Sequence, residues 1–398
     1  MTGRCPFASR RSFLAAAGGL VAATGVARVA SAAPGAAAEP FHGTHQAGIA
    51  TPQQTHTYFA ALDLVAKQAR DVVAMLRAWT DAAARLTAGQ TAPGDSGETL
   101  GLGAARLTLT LGFGPGLFGA RYGLASRRPE ALVDLPGFNG DQLLPDRCGG
   151  DLSIQACADD PQVAFHAVRQ LARLAEGAAR VRWTQVGFLP AMPNGETPRN
   201  LMGFKDGTRN PDDLAKTVWV GTEGPDWMRG GSYLVVRKIR IALEHWDRTE
   251  VDFQQEVIGR QKNSGAPLGR QAERDAPDFD ATDQDGNPVI AENAHLRLAA
   301  HETNGGTQIL RRGYSYNDGT NFTAERWPPW RQGIEYDAGL LFIAYQRDPR
   351  TGFIRLFENM AKLDALNQFT THVGSGLFAC PGGVADGEFL AQGLFDRA

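Results

Sequence analysis

Ser232-Tyr-Leu-Val-Val-Arg-Lys-Ile-Arg-Ile241 is the stretch on which the fold turns. Its concentration of Val, Ile and Tyr reads as a β-strand, and the segment Trp246–Ile258 behind it reads as a helix. Further along, strands are expected at His295–Ala299, Leu310–Tyr316 and Gly339–Gln346, with a helix at Phe353–Leu363. The same order occurs upstream. A strand-like run follows His56, and an amphipathic helix runs from Asp71 to about Leu86, with Val72, Val73, Met75, Leu76 and Trp79 near helical spacing. Strands at Leu107–Gly112 and Asp151–Ala156 precede a helix at Pro161–Gly177, for which Asp160 is the expected cap, and a strand at Ala179–Gly187. Each half therefore reads β-α-β-β-α-β, the split βαβ order. The expected class is α+β, with two ferredoxin-like domains at 44–199 and 200–398. Each would be an antiparallel sheet with peripheral helices, and they would meet at the Pro/Asn/Gly-rich stretch Pro190–Asn200. The polar segment Gly259–Asn293 has no core pattern and is expected to be a loop wrapping a site.

The first 32 residues read as an address. Arg4, Arg10 and Arg11 open the chain, Ser9-Arg-Arg-Ser-Phe-Leu14 carries a twin-arginine signature, and a weakly apolar run ends at Ala30-Ser-Ala32. That run is too short and too rich in Ala and Gly for a membrane span, and Arg28 interrupts it. The expectation is export by the twin-arginine route to the periplasm or beyond, with 33–43 as a flexible mature N-terminus. Removing the leader's four arginines takes the net charge from −3 to about −7. A mildly acidic chain excludes a nucleic-acid or anionic-membrane partner held by a basic field. Cys148, Cys157 and Cys380 remain, with no C-x-x-C-H motif, so covalent haem attachment and a cysteine zinc site are both excluded. A Cys148–Cys157 disulfide is chemically allowed, though small buried hydrophobes are the plainer reading.

Chemistry concentrates in Gly203-Phe-Lys-Asp-Gly-Thr-Arg-Asn210, where glycines flank Asp206. Alone, this is turn chemistry. Two segments downstream change its meaning: Asn293-Ala-His-Leu-Arg-Leu298 and Leu310-Arg-Arg-Gly-Tyr-Ser-Tyr316. His295 is a candidate iron ligand, because a neutral imidazole suits iron. Seven other histidines compete, and His301, nearest in sequence, lies in a Gly/Asn-rich connection. Asp206 is a candidate for moving a proton. Carboxylates are weak bases at neutral pH, so chemistry resting on one favours acid conditions. Arg311 offers a permanent charge and a fixed fork of donors. Arg311 and Arg312 alternate along a strand, so at most one of them faces a pocket.

With these segments the chain resembles the dye-decolourising (DyP-type) haem peroxidases, in particular the exported class that includes deferrochelatases. The resemblance extends through Gly230–Arg240, Ile258-Gly-Arg-Gln-Lys-Asn-Ser-Gly-Ala-Pro-Leu-Gly269 and Asp337-Ala-Gly-Leu-Leu-Phe-Ile-Ala-Tyr-Gln346. It implies one non-covalent haem b per chain in the C-terminal domain, with His295 as axial ligand. It implies Asp206 and Arg311 on the distal side, Asn210 ordering distal water or peroxide, and Asp337 accepting from the non-ligating nitrogen of His295. Leu341 and Phe342 would be walls of the haem pocket. Hydrogen peroxide and small-molecule or dye electron donors are the implied reactants, with Tyr345, Trp327 and Trp330 as candidate surface relays for large donors. The alternative implied by the same class takes haem itself as substrate and releases its iron with the porphyrin intact.

Overall fold

The computed structural model describes residues 37–192, 196–324 and 332–396. The leader, Trp327 and Trp330 lie outside these residues. The first half contains β1 (His56–Leu64), α1 (Ala69–Thr87), β2 (Thr108–Phe113), β3 (Leu152–Ala158), α2 (Pro161–Leu174) and β4 (Ala179–Phe188). After a short helix, α3 (Leu214–Thr217), the second half runs β5 (Ser232–Ile241), α4 (Leu243–Trp246), α5 (Val251–Ile258), α6 (His295–Ala299), β6 (Leu310–Arg311), β7 (Tyr314–Ala324), β8 (Gln332–Gln346), α7 (Phe353–Leu363) and β9 (Thr370–Cys380). A last turn, α8 (Gln392–Phe395), ends the described chain. Residues 34–398 form one compact unit. In the stretch 33–43, Ala37 O accepts from Arg106 N at 2.8 Å and Gly43 N donates to Val384 O at 3.2 Å.

The strand order is β2-β3-β1-β4 within the first half and β7-β8-β5-β9 within the second, all antiparallel. The halves also pair with one another, Phe113 of β2 opposite Ala379 of β9 and Phe188 of β4 opposite Ser315 of β7. The sheets therefore close edge to edge into a barrel-like ring of eight strands, to which β6 adds along β8. Closure is the difference from the two self-contained sheets expected from sequence. It gives partners to edge backbone groups that two open sheets would leave unpaired.

A closed ring has an inside and an outside, and both are apolar here. Phe59, Leu234, Val236, Leu341, Ile343, Tyr345 and Phe378 pack together within it. Leu62, Leu111, Ile154 and Ala156 face outwards onto Val72, Leu76 and Trp79 of α1 and Ala164, Ala167 and Leu171 of α2. Strand β3 is consequently buried at every residue, although its sequence alternates: Leu152, Ile154 and Ala156 join the outer core while Ser153 and Gln155 are buried polar residues on the other face. Helix α2 begins as expected. The Asp160 carboxylate accepts from Gln162 N and Val163 N at 2.8 and 3.0 Å, and Pro161 occupies the first turn.

Three local expectations change. The helix over Trp246–Ile258 is two helices, α4 and α5, with Gln254 Nε2 donating to Trp246 O and Thr249 O across the break. His295–Ala299 alternates like a strand but forms one helical turn, because Arg297 donates to Phe279 O and Ile290 O and folds the preceding loop back on itself. Strand β9 is additional, and its His372, Gly374, Ser375 and Gly376 weaken the apolar pattern that marks a strand. The Leu310–Tyr316 strand holds one register on β8 through β6 and β7, with Arg312 N donating to Ile343 O at 2.8 Å between them.

Candidate active site

The outer face of the second half's sheet forms the floor of a cleft. Ile239 and Ile241 come from β5, Leu340 and Phe342 from β8, while Leu356, Phe357 and Met360 of α7 form another wall. Asp206, His295 and Arg311 line the same cleft, although 105 residues separate the first from the last.

The Asp206 loop is built for a close approach. Gly203 and Gly207 have φ of 84° and 102°, a region costly for residues with a Cβ. Asn200 Oδ1 accepts from Met202 N and Phe204 N, and Asp206 N donates to Pro198 O at 2.9 Å. The long loop 259–293 clamps it from outside: Glu273 accepts from Lys205 Nζ at 2.6 Å and from Thr208 Oγ1 at 3.0 Å. Burial opposes ionisation of Glu273, but its bonds to Lys205, Thr197 and Thr208 outweigh that and hold its pKa below the usual range. Lys205 and Arg209, unassigned in the sequence, are thereby explained in part, since Arg209 pairs with Glu302 at 2.6 Å.

Arg311 Nη1 donates to Asp206 Oδ1 at 3.1 Å, both side chains remaining about 30% exposed to the cleft. Arg312 points the other way, into the ring, where it bonds Thr51 O and Gln54 Oε1. Strand alternation thus leaves one of the pair facing the cleft, and that one is Arg311, the residue the resemblance pointed to. Asn210 is not among the residues that line the cleft. Its Nδ2 donates to Arg311 O at 2.8 Å and its Oδ1 accepts from Arg311 N at 3.0 Å, so the amide braces the Arg311 backbone from both sides. Asn210 positions the arginine.

His295 opens α6, and its Nδ1 lies 2.7 Å from Asp364 Oδ2. Burial works against an imidazolium, yet the charge and hydrogen bond of Asp364 outweigh it, so the His295 pKa rises above its ordinary value. With Nδ1 committed to a carboxylate, only Nε2 is left for a metal. The carboxylate expected here was Asp337, and the structure corrects this. Asp337 lies 3.7 Å from Lys238 Nζ and 3.6 Å from Arg147 Nη2, and it accepts from Tyr316 OH at 3.4 Å. Asp364 escaped notice because it follows α7 as a helix-boundary residue, and it does cap the next turn, accepting from Leu366 N at 2.8 Å.

Phe342 lines the cleft, but Leu341 does not; it is fully buried in the ring interior beside Tyr314 and Ile343. One step along a strand changes the face. Tyr345 lies inside too, donating to Gln155 Oε1 at 2.6 Å, and with no exposed surface it is not a surface relay. Cys148, Cys157 and Cys380 are all free thiols.

Two further cleft residues have no role assigned from the sequence. Arg260, in the quoted Ile258–Gly269 motif, is buried and donates to Gly265 O and Glu273 O. Burial and the neighbouring Arg209 and Arg311 charges push its pKa down to about 10. His372 accepts from Arg237 Nε at 3.1 Å, which places its own proton on Nε2. Burial, then Arg237, lowers its pKa to about 3 and keeps it neutral. The set fits a haem: an apolar floor, an imidazole oriented by a carboxylate, and arginines at the margin for anionic groups.

These elements are the two halves of one known enzyme class. The Dyp-type peroxidase N-terminal and C-terminal family models match residues 46–189 and 197–385, and the chain belongs to that family of haem peroxidases. It is 42% identical to a dye-decolorizing peroxidase of Thermobifida fusca (strain YX), over 88% of this chain and 84% of the relative. It is 39% identical to a deferrochelatase of Escherichia coli (strain K12), over 87% of this chain and 85% of the relative. Among solved structures, the oxyferrous complex of DtpA from Streptomyces lividans superposes with a TM-score of 0.85 at 42% identity, covering 91% of this chain and 99% of the other.

Proposed function

We propose that this peroxidase reduces hydrogen peroxide at a single non-covalent haem b, held by His295 in the second of two ferredoxin-like halves, and oxidises phenols or dyes in turn. The observation that carries the reading is the pairing of Asp206 with Arg311 in the cleft that His295 and Asp364 also line. Bound haem supplies the iron at which peroxide reacts and the store of oxidising equivalents. The chain's residues do the rest. Asp364 holds the Nδ1 proton of His295, which leaves Nε2 as the atom that would hold the iron and would raise its basicity. Asp206 receives the proton of the inner peroxide oxygen and delivers it to the outer one. Arg311, which donates to Asp206, stabilises the charge on the departing oxygen. Asn210 fixes the Arg311 backbone, and Phe342 contributes to the apolar wall.

Export through the twin-arginine route rests on Arg10 and Arg11 and the small-residue site Ala30–Ala32. Among the described residues no helix is long and apolar enough to cross a membrane. The test of the distal roles is stopped-flow reaction with peroxide. Asp206→Asn and Arg311→Leu are expected to slow it by at least ~100-fold, the lower end for acid–base catalysis. Variants reacting as fast as the parent would refute the roles. Fluorescence of metal-free porphyrin on incubation with haem would mark the iron-releasing activity named in the deferrochelatase relative.

A further inference from the structure

Away from the cleft, the loop between α1 and β2 lies against helix α2 and contributes Asp95 and Glu98 to His166. Each of the three offers a ligand-type atom within 4.8 Å of the others. The Asp95 and His166 side chains are essentially closed to solvent, at 0% and 3% exposure, and Glu98 is 35% exposed. Asp95 Oδ2 faces His166 Nε2 at 2.9 Å, while its Oδ1 accepts from Gly97 N at 2.8 Å. A carboxylate only accepts, so Nε2 donates to Asp95, and Nδ1 is the ring atom left to face Glu98. That buried Nδ1 has no hydrogen-bond partner.

What faces Nδ1 is Glu98 Oε2 at 3.9 Å. The other Glu98 oxygen is occupied, accepting from Ser96 Oγ at 2.7 Å and Arg169 Nη2 at 3.2 Å. A separation of 3.9 Å is too long for a shared proton, which needs about 2.7–3.2 Å. Two ligands on a tetrahedral ion with bonds of about 2.0–2.2 Å stand about 3.4 Å apart, so a shift of about 0.5 Å in the partly exposed Glu98 side chain brings both atoms onto one ion. The Asp95–His166 bond is the carboxylate–histidine relation that orients a metal-bound imidazole.

We propose that His166 Nδ1 and Glu98 Oε2 bind a divalent cation of the zinc class, with Asp95 as the orienting carboxylate and water completing the coordination. The ion ties the loop around Asp95 to α2, remote from the peroxide chemistry, so its effect is on stability. The test uses the haem-loaded mature chain, stripped with EDTA, and titrates zinc by calorimetry while following thermal unfolding. One zinc per chain should bind with micromolar affinity and raise Tm by a few degrees, with peroxidase turnover unchanged. Glu98→Gln, at a partly exposed position that tolerates the change, should weaken this binding at least tenfold and abolish the shift, as should His166→Gln. Zinc binding equal in parent and both variants, or no binding at millimolar zinc, would overturn the site. So would a Tm that zinc leaves unmoved, the result expected of a purely ionic cluster.

Discussion

Replacing Asp364 by Asn changes the charge behind His295 with little loss of volume. The 2.7 Å contact is made by a side chain only 3% exposed, so water does not compensate for its loss. Hydrogen bonds to charged groups contribute about 1.5–3 kcal/mol, and loss of a carboxylate behind a metal-bound histidine typically costs 10–100-fold in affinity, ~1.4–2.7 kcal/mol. The two estimates agree. Asn has a further effect: if its NH2 faces Nδ1, the imidazole proton is driven to Nε2, the atom proposed to bind iron. Asn also keeps an acceptor for Leu366 N, so the turn after α7 persists. Apoprotein titrated with haem should show the Soret band developing with a Kd raised 10–100-fold in Asp364→Asn, and the ferric/ferrous midpoint potential should move upwards. Asp337→Asn is the control, because Asp337 pairs with Lys238 and Arg147 instead. If Asp337→Asn shifts haem affinity and Asp364→Asn does not, the reasoning is refuted.

Asn210→Ala removes both bonds to the Arg311 backbone, so it should cost about 1–2 kcal/mol in stability and slow the peroxide reaction without displacing the Soret maximum; urea unfolding and stopped flow would check both. Leu341→Ala should cost about 2–5 kcal/mol by opening a cavity in the ring and leave haem affinity unchanged, whereas Phe342→Ala should weaken haem binding, as a paired unfolding and Soret titration would show. His372 has a folded pKa of about 3 against an ordinary 6.5, so unfolding takes up a proton between these values. Its contribution is present above pH 6.5 and is lost as pH falls towards 3. His372→Gln, which keeps an acceptor for Arg237 Nε, should flatten the decline of stability with acid by about 1.4 kcal/mol per pH unit in that window, read by urea titrations at pH 4–7.

Much of this molecule was legible because its signals are local. Propensity and spacing identify β1, α1, α2 and α7, and the Asp160 cap is readable from side-chain chemistry alone. Strand parity correctly separated Arg311 from Arg312. The same parity rule would have moved Leu341 and Tyr345 inside, had the side facing the cleft been known. What stayed hidden depends on contacts between distant segments. The pairings of Phe113 with Ala379 and Phe188 with Ser315, which close the ring, leave no mark in either partner's sequence. Asp364 and Asp337 both lie near apolar segments, and only the packing of α6 against α7 decides which one reaches His295.

If His295 binds the iron of a haem that reacts with peroxide, its loss must show in the absorption spectrum. The decisive comparison is between the purified, haem-reconstituted parent and His295→Ala, each before and after one equivalent of hydrogen peroxide. The parent should show a Soret band that changes promptly on adding peroxide, while His295→Ala should show a displaced or absent band and no prompt change. An identical Soret band and an identical peroxide response in the two proteins would contradict the assignment.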